Sequence, residues 1–192
     1  MQNELPVRKK IRLEGYDYSS NGAYFITITI CTQKRLHLFG EIDDVVGQGL
    51  CSCRLTPTGE IIEREWYSLS ERYPHITFVN FVVMPNHVHA LISINWDLEA
   101  RQEQSPCPTR PTISDIICAY KSITTKQCNK NDNITGRKIW HFRFHDHVIR
   151  NQDEYQRIWQ YINENPVIWT EDRYYKQHQE AANESDNNRT RQ

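Results

Sequence analysis

Two histidines separated by one residue, His87 and His89, have the spacing and chemistry of a metal-binding pair. They begin the segment 87–94, whose alternation of polar and apolar residues predicts a β-strand. Because strand side chains alternate in direction, both imidazoles start from one face, roughly 7 Å apart, while Val88 and Ala90 project to the other. Neutral imidazole is a good ligand for divalent ions. The pair therefore predicts two ligands of a cation; the alternative is two polar residues on a half-solvated strand.

A tyrosine near the end of the predicted last helix is the candidate nucleophile. Residues 153–165 repeat their apolar positions as an amphipathic helix does, and Pro166 requires the helix to end near Asn165. The apolar stripe of this helix consists of Tyr155, Ile158, Trp159 and Ile162. Tyr161 falls at the edge of that stripe, and Asn165 lies one turn later on the same face. A phenol and a cation-binding amide oxygen are thus presented together; the alternative is a solvated edge tyrosine and a helix-ending asparagine.

Other groupings of reactive residues are less specific. A second pair, His145 and His147, lies on a strand predicted over residues 138–149, and it either adds to the same site or alternates on a sheet face. Cys51 and Cys53 are too close for the usual structural zinc spacing. The sequence has no Gly-rich phosphate loop, no H-E-x-x-H and no G-x-S-x-G. These absences argue against a P-loop nucleotidase and a serine hydrolase.

These side chains must be positioned by alternating strands and helices. Strands are predicted over residues 23–31, 76–84, 87–94 and 138–149. Helices are predicted from Thr58 to about residue 73, from Thr112 or Ser114 onward, and from a capping box of Asn151 and Glu154 to Asn165. This order predicts an α+β fold: a ferredoxin-like (RRM-like) antiparallel sheet with helices packed on one face.

Composition predicts one soluble domain. The chain has 192 residues, with 23 Lys and Arg against 24 Asp and Glu, so its overall charge does not indicate a nucleic-acid partner. We expect a single domain over residues 1–176 and a disordered polar tail over 177–192. There is no apolar run of the roughly 18 residues that span a membrane and no secretory signal, and the six cysteines lack a disulfide pattern. A cytoplasmic location with reduced thiols is the expectation.

Five motifs in register resemble those of the IS200-like transposases that use a single tyrosine, and more narrowly the REP-associated tyrosine transposases. The motifs are GAYFIT at 22–27, FVVMPNHVH at 81–89, AYKS at 119–122, FHDHVIRN at 144–151 and YINENP at 161–166. They follow the family's order and are spread over about residues 8–175.

The resemblance implies a single-stranded DNA endonuclease of the His-hydrophobic-His (HUH) type on a ferredoxin-like core. In such an enzyme His87 and His89 bind Mg²⁺ or Mn²⁺, Asn165 is the third ligand, and Tyr161 attacks the scissile phosphate to give a 5′-phosphotyrosine and a free 3′-hydroxyl. The implied partner is single-stranded DNA, with a hairpin-forming repeat as one candidate target. The general base, the choice between monomer and homodimer, and whether Tyr161 serves its own chain or a partner's are left open.

Contacts to DNA must be local, because the net charge is only −1. The candidate backbone contacts are Arg8, Lys9, Lys10, Arg12, Lys121, Lys126, Arg143 and Arg150. Unpaired bases could stack on aromatic residues such as Tyr16 or Phe144. Two other functions fit the same residues: a non-catalytic module that binds single-stranded nucleic acid on an RRM-like sheet, and a metal hydrolase in which water is the nucleophile.

Overall fold

The computed structural model describes residues 13–29, 36–42, 53–96, 110–172 and 175. Its strands are β1 (Gly22–Thr29), β2 (Gly40–Ile42), β3 (Cys53–Leu55), β4 (Ile76–Met84), β5 (His87–Ile94) and β6 (His145–Ile149). Its helices are α1 (Pro57–Tyr67), α2 (Leu69–Arg72), α3 (Ile113–Asn131) and α4 (Gln152–Glu164), followed by a 3₁₀ turn at Trp169–Glu171. The predicted succession of strands and helices is confirmed.

Four of the strands form one antiparallel sheet in the order β4-β5-β1-β6. β1 lies between β5 and β6 and pairs antiparallel with both. The chain leaves β1, passes through α1 to the β4–β5 hairpin, and returns through α3 to β6. This is the ferredoxin-like α+β arrangement that the sequence predicts. It places the start of β6 and the start of β5 on either side of the same central strand.

One face of the sheet is apolar and is covered by α1 and α3. Tyr24, Ile26 and Ile28 of β1 are completely buried on it, as their alternation predicts. The helix residues packed with them include Trp66, Ile116 and Ile117. Tyr120 of α3 donates a hydrogen bond of 2.8 Å to the carbonyl of Ile62 in α1, which ties the two helices together. Each such buried apolar side chain contributes about 1.5–3 kcal/mol, so this face holds the sheet in place.

The opposite face of the sheet is crossed by α4, the exception to the one-sided packing of α1 and α3. A register irregularity between Phe78 and Asn80 in β4 accompanies the approach of this helix. The side-chain amide of Asn80 donates to the carbonyl of Trp159 (3.3 Å) and to Oδ1 of Asn163 (3.1 Å). Ile162 is completely buried. One side of α4 therefore faces the polar face of the sheet, where strand residues are available to meet it.

Side-chain caps begin three of the helices. Thr112 caps α3 within a complete capping box, which selects it over Ser114. Asn151 caps α4, as predicted, by accepting the backbone N–H of Glu154 at 2.8 Å. The start predicted for α1 is wrong by two residues: Thr56, not Thr58, is the cap, and its hydroxyl accepts a backbone N–H of the first turn at 3.1 Å.

Two predictions from residue periodicity are wrong. The strand predicted over 138–149 is limited to β6, because the Trp140 side chain turns inward and donates a 2.8 Å hydrogen bond to the Thr124 hydroxyl, which interrupts the alternation. Trp159, expected in the apolar stripe of α4, is 48% exposed. Ile162, from the same predicted stripe, is completely buried, so the stripe is confirmed at that residue and wrong at Trp159.

Several expectations fall on parts of the chain outside the described residues. These are the basic residues Arg8, Lys9, Lys10 and Arg12 and the tail 177–192. Within the described part, Cys53, Cys118 and Cys128 are free thiols. None of the helices in that part is both long enough and apolar enough to span a membrane.

Candidate active site

The two histidines of β5 converge at their ring nitrogens. Both side chains are buried, His87 at 0% and His89 at 2% exposure, so they are not the half-solvated residues of the alternative interpretation. Nε2 of His87 lies 3.0 Å from Nε2 of His89, although the two residues start from well-separated points on the strand. Their rings are inclined by 76°. Two nitrogen lone pairs can thus be directed at one small volume.

The other ring nitrogen of each histidine has an oxygen partner. Nδ1 of His87 lies 2.8 Å from Oδ1 of Asn86, which can only accept a hydrogen bond, so the proton of this ring belongs on Nδ1. Nδ1 of His89 lies 2.9 Å from the hydroxyl of Thr27, which can accept or donate. Oxygen partners of this kind orient metal-binding histidines so that Nε2 is directed at the ion.

His89 is held in its neutral form. Burial, and to a smaller extent the neighbouring His145, lower the pKa of His89 to about 3. A protonated imidazole cannot bind a metal, whereas a neutral one can. At any pH near neutrality, His89 is therefore an available ligand rather than a competing cation.

Tyr161 projects from α4 toward this pair. Its hydroxyl lies 3.5 Å from Nε2 of His89, at the outer limit of a hydrogen bond. Its ring and the ring of Phe25 form a T-shaped pair, with centroids 6.0 Å apart. The side chain is 39% exposed, and it lines an open groove of about 450 Å³. The phenol is thus close to the imidazole of His89 and reachable from solvent.

Contacts at the beginning of α4 fix the helix that carries Tyr161. The carboxylate of Glu154 accepts the backbone N–H of Arg150 at 2.9 Å and contacts Nε2 of His147 at 2.8 Å. Glu154 therefore does not reach back to the N–H of Asn151, and the predicted capping box is only half formed. The hydrogen bond from the Arg150 N–H, and then that from His147, hold the pKa of Glu154 below its ordinary value. His147 consequently belongs to the support of α4.

His145, its neighbour in the second histidine pair, lines the groove. The groove is bounded by Phe25, Thr27, His89, His145, Tyr161, Ile168, Glu171 and Asp172. On β6, His145 stands opposite Thr27 of β1, which in turn stands opposite His89 of β5. His145 and His147 therefore have different surroundings. Their spacing, which is the same as that of His87 and His89, could not reveal this difference.

A carboxylate completes a group of three potential ligands. One oxygen of Asp172 and one ring nitrogen each of His87 and His89 all lie within 4.8 Å of one another. Asp172 ends the 3₁₀ turn that begins at Trp169, whose ring lies 5.8 Å from that of His87. Sequence reasoning missed Asp172, because no spacing connects it to the histidines; the turn after Pro166 brings it back to the sheet.

Asn165 occupies the end of α4, one turn after Tyr161. Its backbone N–H donates to the carbonyl of Tyr161 at 3.0 Å. Its side chain is 1% exposed, and among the described residues neither its amide nitrogen nor its amide oxygen has a hydrogen-bond partner. Leaving a buried amide unsatisfied costs about 1–3 kcal/mol, so an orphaned amide at such a position is a candidate ligand for an ion.

Comparison with known proteins identifies a relative in Haemophilus influenzae. Over 177 residues the chain is 33% identical to an uncharacterized protein of strain Rd KW20, covering 88% of this chain and 93% of the relative. The chain belongs to the family of that Haemophilus protein. No family model matches the sequence.

Two solved structures are similar to this chain. One is a REP-associated tyrosine transposase bound to a REP hairpin, at 21% identity and a TM-score of 0.49, covering 81% of this chain and 73% of that one. The other is a protein of Deinococcus radiodurans R1 proposed to be a transposase, at 17% identity and a TM-score of 0.42, covering 81% and 96%.

The basic residues predicted to contact DNA differ in their surroundings, among those that the structure describes. Arg143 and Arg150 are exposed. Lys121 is half-buried, and its ammonium donates to the carbonyls of His141 at 3.0 Å and Arg143 at 3.1 Å. Burial lowers the pKa of Lys121 to about 8. Lys121 thus supports the loop before β6, a role that sequence reasoning did not foresee.

Proposed function

We propose that the protein is a metal-dependent endonuclease and strand transferase that acts on single-stranded DNA with Tyr161 as its nucleophile. The observation that supports this best is the position of the Tyr161 hydroxyl, 3.5 Å from Nε2 of His89, which is itself 3.0 Å from Nε2 of His87. A phenol beside two buried imidazoles fits phosphoryl transfer to tyrosine. The motifs that resemble REP-associated tyrosine transposases point to the same reaction.

The residues around the histidines fit a divalent cation. Ligands at right angles, each about 2.1 Å from an octahedral ion, lie about 3 Å apart, close to the separation of the two Nε2 atoms. His87 and His89 would hold the ion, with the orphaned amide of Asn165 and the carboxylate of Asp172 as oxygen ligands. Imidazole favours Mn²⁺ over the harder Mg²⁺. When bound, the ion would neutralise negative charge on the scissile phosphate and would orient that phosphate for attack.

Tyr161 performs the bond exchange in this proposal. Its oxygen forms a bond to phosphorus, and the P–O3′ bond breaks in line with that attack. In the net reaction, the phenol proton is transferred to the departing 3′ oxygen. The products are a 5′-phosphotyrosine and a free 3′-hydroxyl. The phosphodiester energy is kept in the covalent link, so a second 3′-hydroxyl can reverse the step and rejoin strands.

The attack is proposed to occur within one chain. Tyr161 approaches the imidazoles of its own sheet, and Asn80 and Glu154 hold α4 against that sheet. A monomer therefore has every side chain that the proposal uses. The groove of about 450 Å³ is lined by Tyr161 and the exposed His145. Because the groove is open, a sugar-phosphate backbone can reach Tyr161.

Transfer of a DNA label to the protein tests the proposal. A random-sequence single-stranded DNA pool is labelled at its 3′ end or its 5′ end, incubated with protein and Mn²⁺, and resolved on a denaturing protein gel. The expected result is label on the protein from the 3′-labelled pool alone, because the 5′-phosphotyrosine retains the downstream strand. Tyr161→Phe should abolish the transfer, and Tyr155→Phe, on the same helix, should retain it.

Two results would assign a different function. Cleaved DNA without labelled protein, with activity retained in Tyr161→Phe, indicates a hydrolase whose nucleophile is water. DNA that is bound and never cut indicates a binding module.

A further inference from the structure

The loop before β6 presents one phenylalanine to solvent between two anchored aromatic residues. Trp140 is 6% exposed and donates to the Thr124 hydroxyl, and Phe144 packs against the hydrophobic core. Between them, Phe142 is 76% exposed. Because both flanking aromatic residues point inward, the exposure of Phe142 is imposed by the surrounding structure.

Lys121 of α3 holds this loop in shape. Its ammonium donates to the carbonyls of His141 and Arg143 at 3.0 and 3.1 Å and lies 3.5 Å from that of Phe142. The same ammonium lies 5.2 Å from the centre of the Phe144 ring. A half-buried lysine that binds three consecutive carbonyls keeps the loop rigid, and a rigid aromatic side chain loses little entropy when a partner stacks on it.

Positively charged side chains lie near the exposed ring. The guanidinium of Arg143 lies 5.0 Å from the centre of the Phe142 ring. Beside the ring is a groove of about 340 Å³ whose lining includes Lys126, Lys138 and Thr125, and no acidic residue of the described chain lines it. Lys126 and Lys138 are exposed. The net charge of the whole chain is −1, so this is a local concentration of cations.

We propose that Phe142 is a stacking platform for an unpaired base of the DNA strand, with Lys126, Lys138 and Arg143 contacting the adjacent phosphates. This inference rests on the proposed function, because it identifies where the same single strand lies outside the groove of Tyr161. An exposed aromatic face beside cations matches the two properties of single-stranded DNA, unpaired bases and a dense negative backbone. In a duplex the bases are already stacked.

The platform is close along the chain to the candidate active site. The loop leads directly into β6, whose first residue, His145, lines the groove that contains Tyr161. Phe142 therefore shortly precedes, along the protein chain, the histidine at the edge of that groove. A DNA strand held at Phe142 lies beside this edge. The sequence pattern predicted stacking on Tyr16 or Phe144, whereas Phe144 is packed inward and Tyr16 is hydrogen-bonded to Tyr24 at 3.3 Å.

Binding of a fluorescent oligothymidylate, measured by anisotropy in EDTA at several salt concentrations, tests the platform without cleavage. Phe142→Ala should weaken binding roughly 5- to 150-fold, the range for losing one base stack, and leave the salt dependence unchanged. Phe142→Tyr should bind like the wild type, and Phe142→Leu should bind like the alanine variant. Full affinity in Phe142→Ala would overturn the inference.

The cations have a separate readout. Lys126→Gln and Lys138→Gln should each reduce the slope of log K against log salt by about 0.7, the value for one phosphate contact on a single strand. Lys130→Gln, at another exposed lysine one turn after Lys126 on α3, is the matched control and should leave the slope unchanged. Equal slopes in all three variants would contradict the phosphate contacts.

Three further outcomes separate the platform from its rivals. If Phe142→Ala changes the oligomeric state in sedimentation and not the DNA affinity, the surface joins copies of the chain and the inference is wrong. If binding depends on Phe142 but no DNA is ever linked to the protein, the inference stands and the proposed function fails. If the covalent link forms and DNA affinity does not depend on Phe142, the proposed function stands and the inference is wrong.

Discussion

The hydroxyl of Thr27 lies 2.9 Å from Nδ1 of His89, directly across the β1–β5 register. When Nε2 of His89 binds a cation, the ring proton must be on Nδ1, and the Thr27 oxygen can accept it. Thr27→Val keeps the shape and removes this acceptor. We expect Mn²⁺ affinity, measured by electron paramagnetic resonance, to fall about 10- to 100-fold, the usual effect of losing such a partner. Thr27→Ser should restore it, and unchanged affinity in Thr27→Val would exclude this role.

Asp172 provides the second prediction, because it brings an anionic oxygen to within 4.8 Å of the two ring nitrogens. Asp172→Ala should weaken Mn²⁺ binding at least about tenfold, within the range for losing a ligand or its close support. Glu171→Ala is the matched control, since Glu171 lines the same groove without belonging to the group of three. Calorimetric titration of the metal-free protein measures both. Equal losses in the two variants would mean that only the overall negative charge matters.

Asn165 provides a prediction in which stability and cation binding move in opposite directions. Its amide is buried without a partner among the described residues, so the metal-free protein bears a cost of about 1–3 kcal/mol. Asn165→Leu has a similar volume and removes that cost. Its melting temperature without metal should equal or exceed that of the wild type, while its Mn²⁺ affinity falls. A clear loss of stability in the metal-free variant would show that the amide has a structural role.

Glu154 gives a pH dependence to the support of α4. Its folded pKa is lowered by the Arg150 N–H and by His147, so its contribution to stability is complete above its ordinary value of 4.5 and is lost as the pH falls through the folded value. The wild type should therefore lose melting temperature on acidification in this window. Glu154→Gln should show a smaller dependence, and Asp153→Asn, in the same helical turn, should retain it. Identical pH profiles for the wild type and Glu154→Gln would contradict this account.

Much of the fold could be predicted because its signals are local. Both strands of the β4–β5 hairpin have the predicted bounds, since the turn residues Pro85 and Asn86 separate two runs rich in β-branched and apolar residues. Pro166 specifies where α4 ends, and Asn151 where it begins. The strand predicted over 138–144 was wrong because the tertiary contact of Trp140 with Thr124 overrides an alternation that is otherwise strand-like.

From spacing alone, the candidate site could be predicted only where one element supplies neighbouring ligands; the association of Tyr161 with the histidines was predicted from the resemblance. His87 and His89 share a strand, so their common face follows from the sequence. Asp172 and Thr27 join them only through packing, and no spacing along the chain encodes that proximity. The burial of Lys121 and the exposure of Phe142 also depend on how one loop lies against α3. Periodicity assigns residues to faces but does not report which faces meet.

Mass spectrometry of the covalent product measures the central claim most directly. The protein is incubated with Mn²⁺ and single-stranded DNA, digested with nuclease and protease, and searched for peptides carrying a nucleotide phosphate. The account predicts one modified peptide, with the phosphate of a 5′ nucleotide end on the oxygen of Tyr161. A modification on any other residue, or cleaved DNA accompanied by an unmodified Tyr161 peptide, would contradict it.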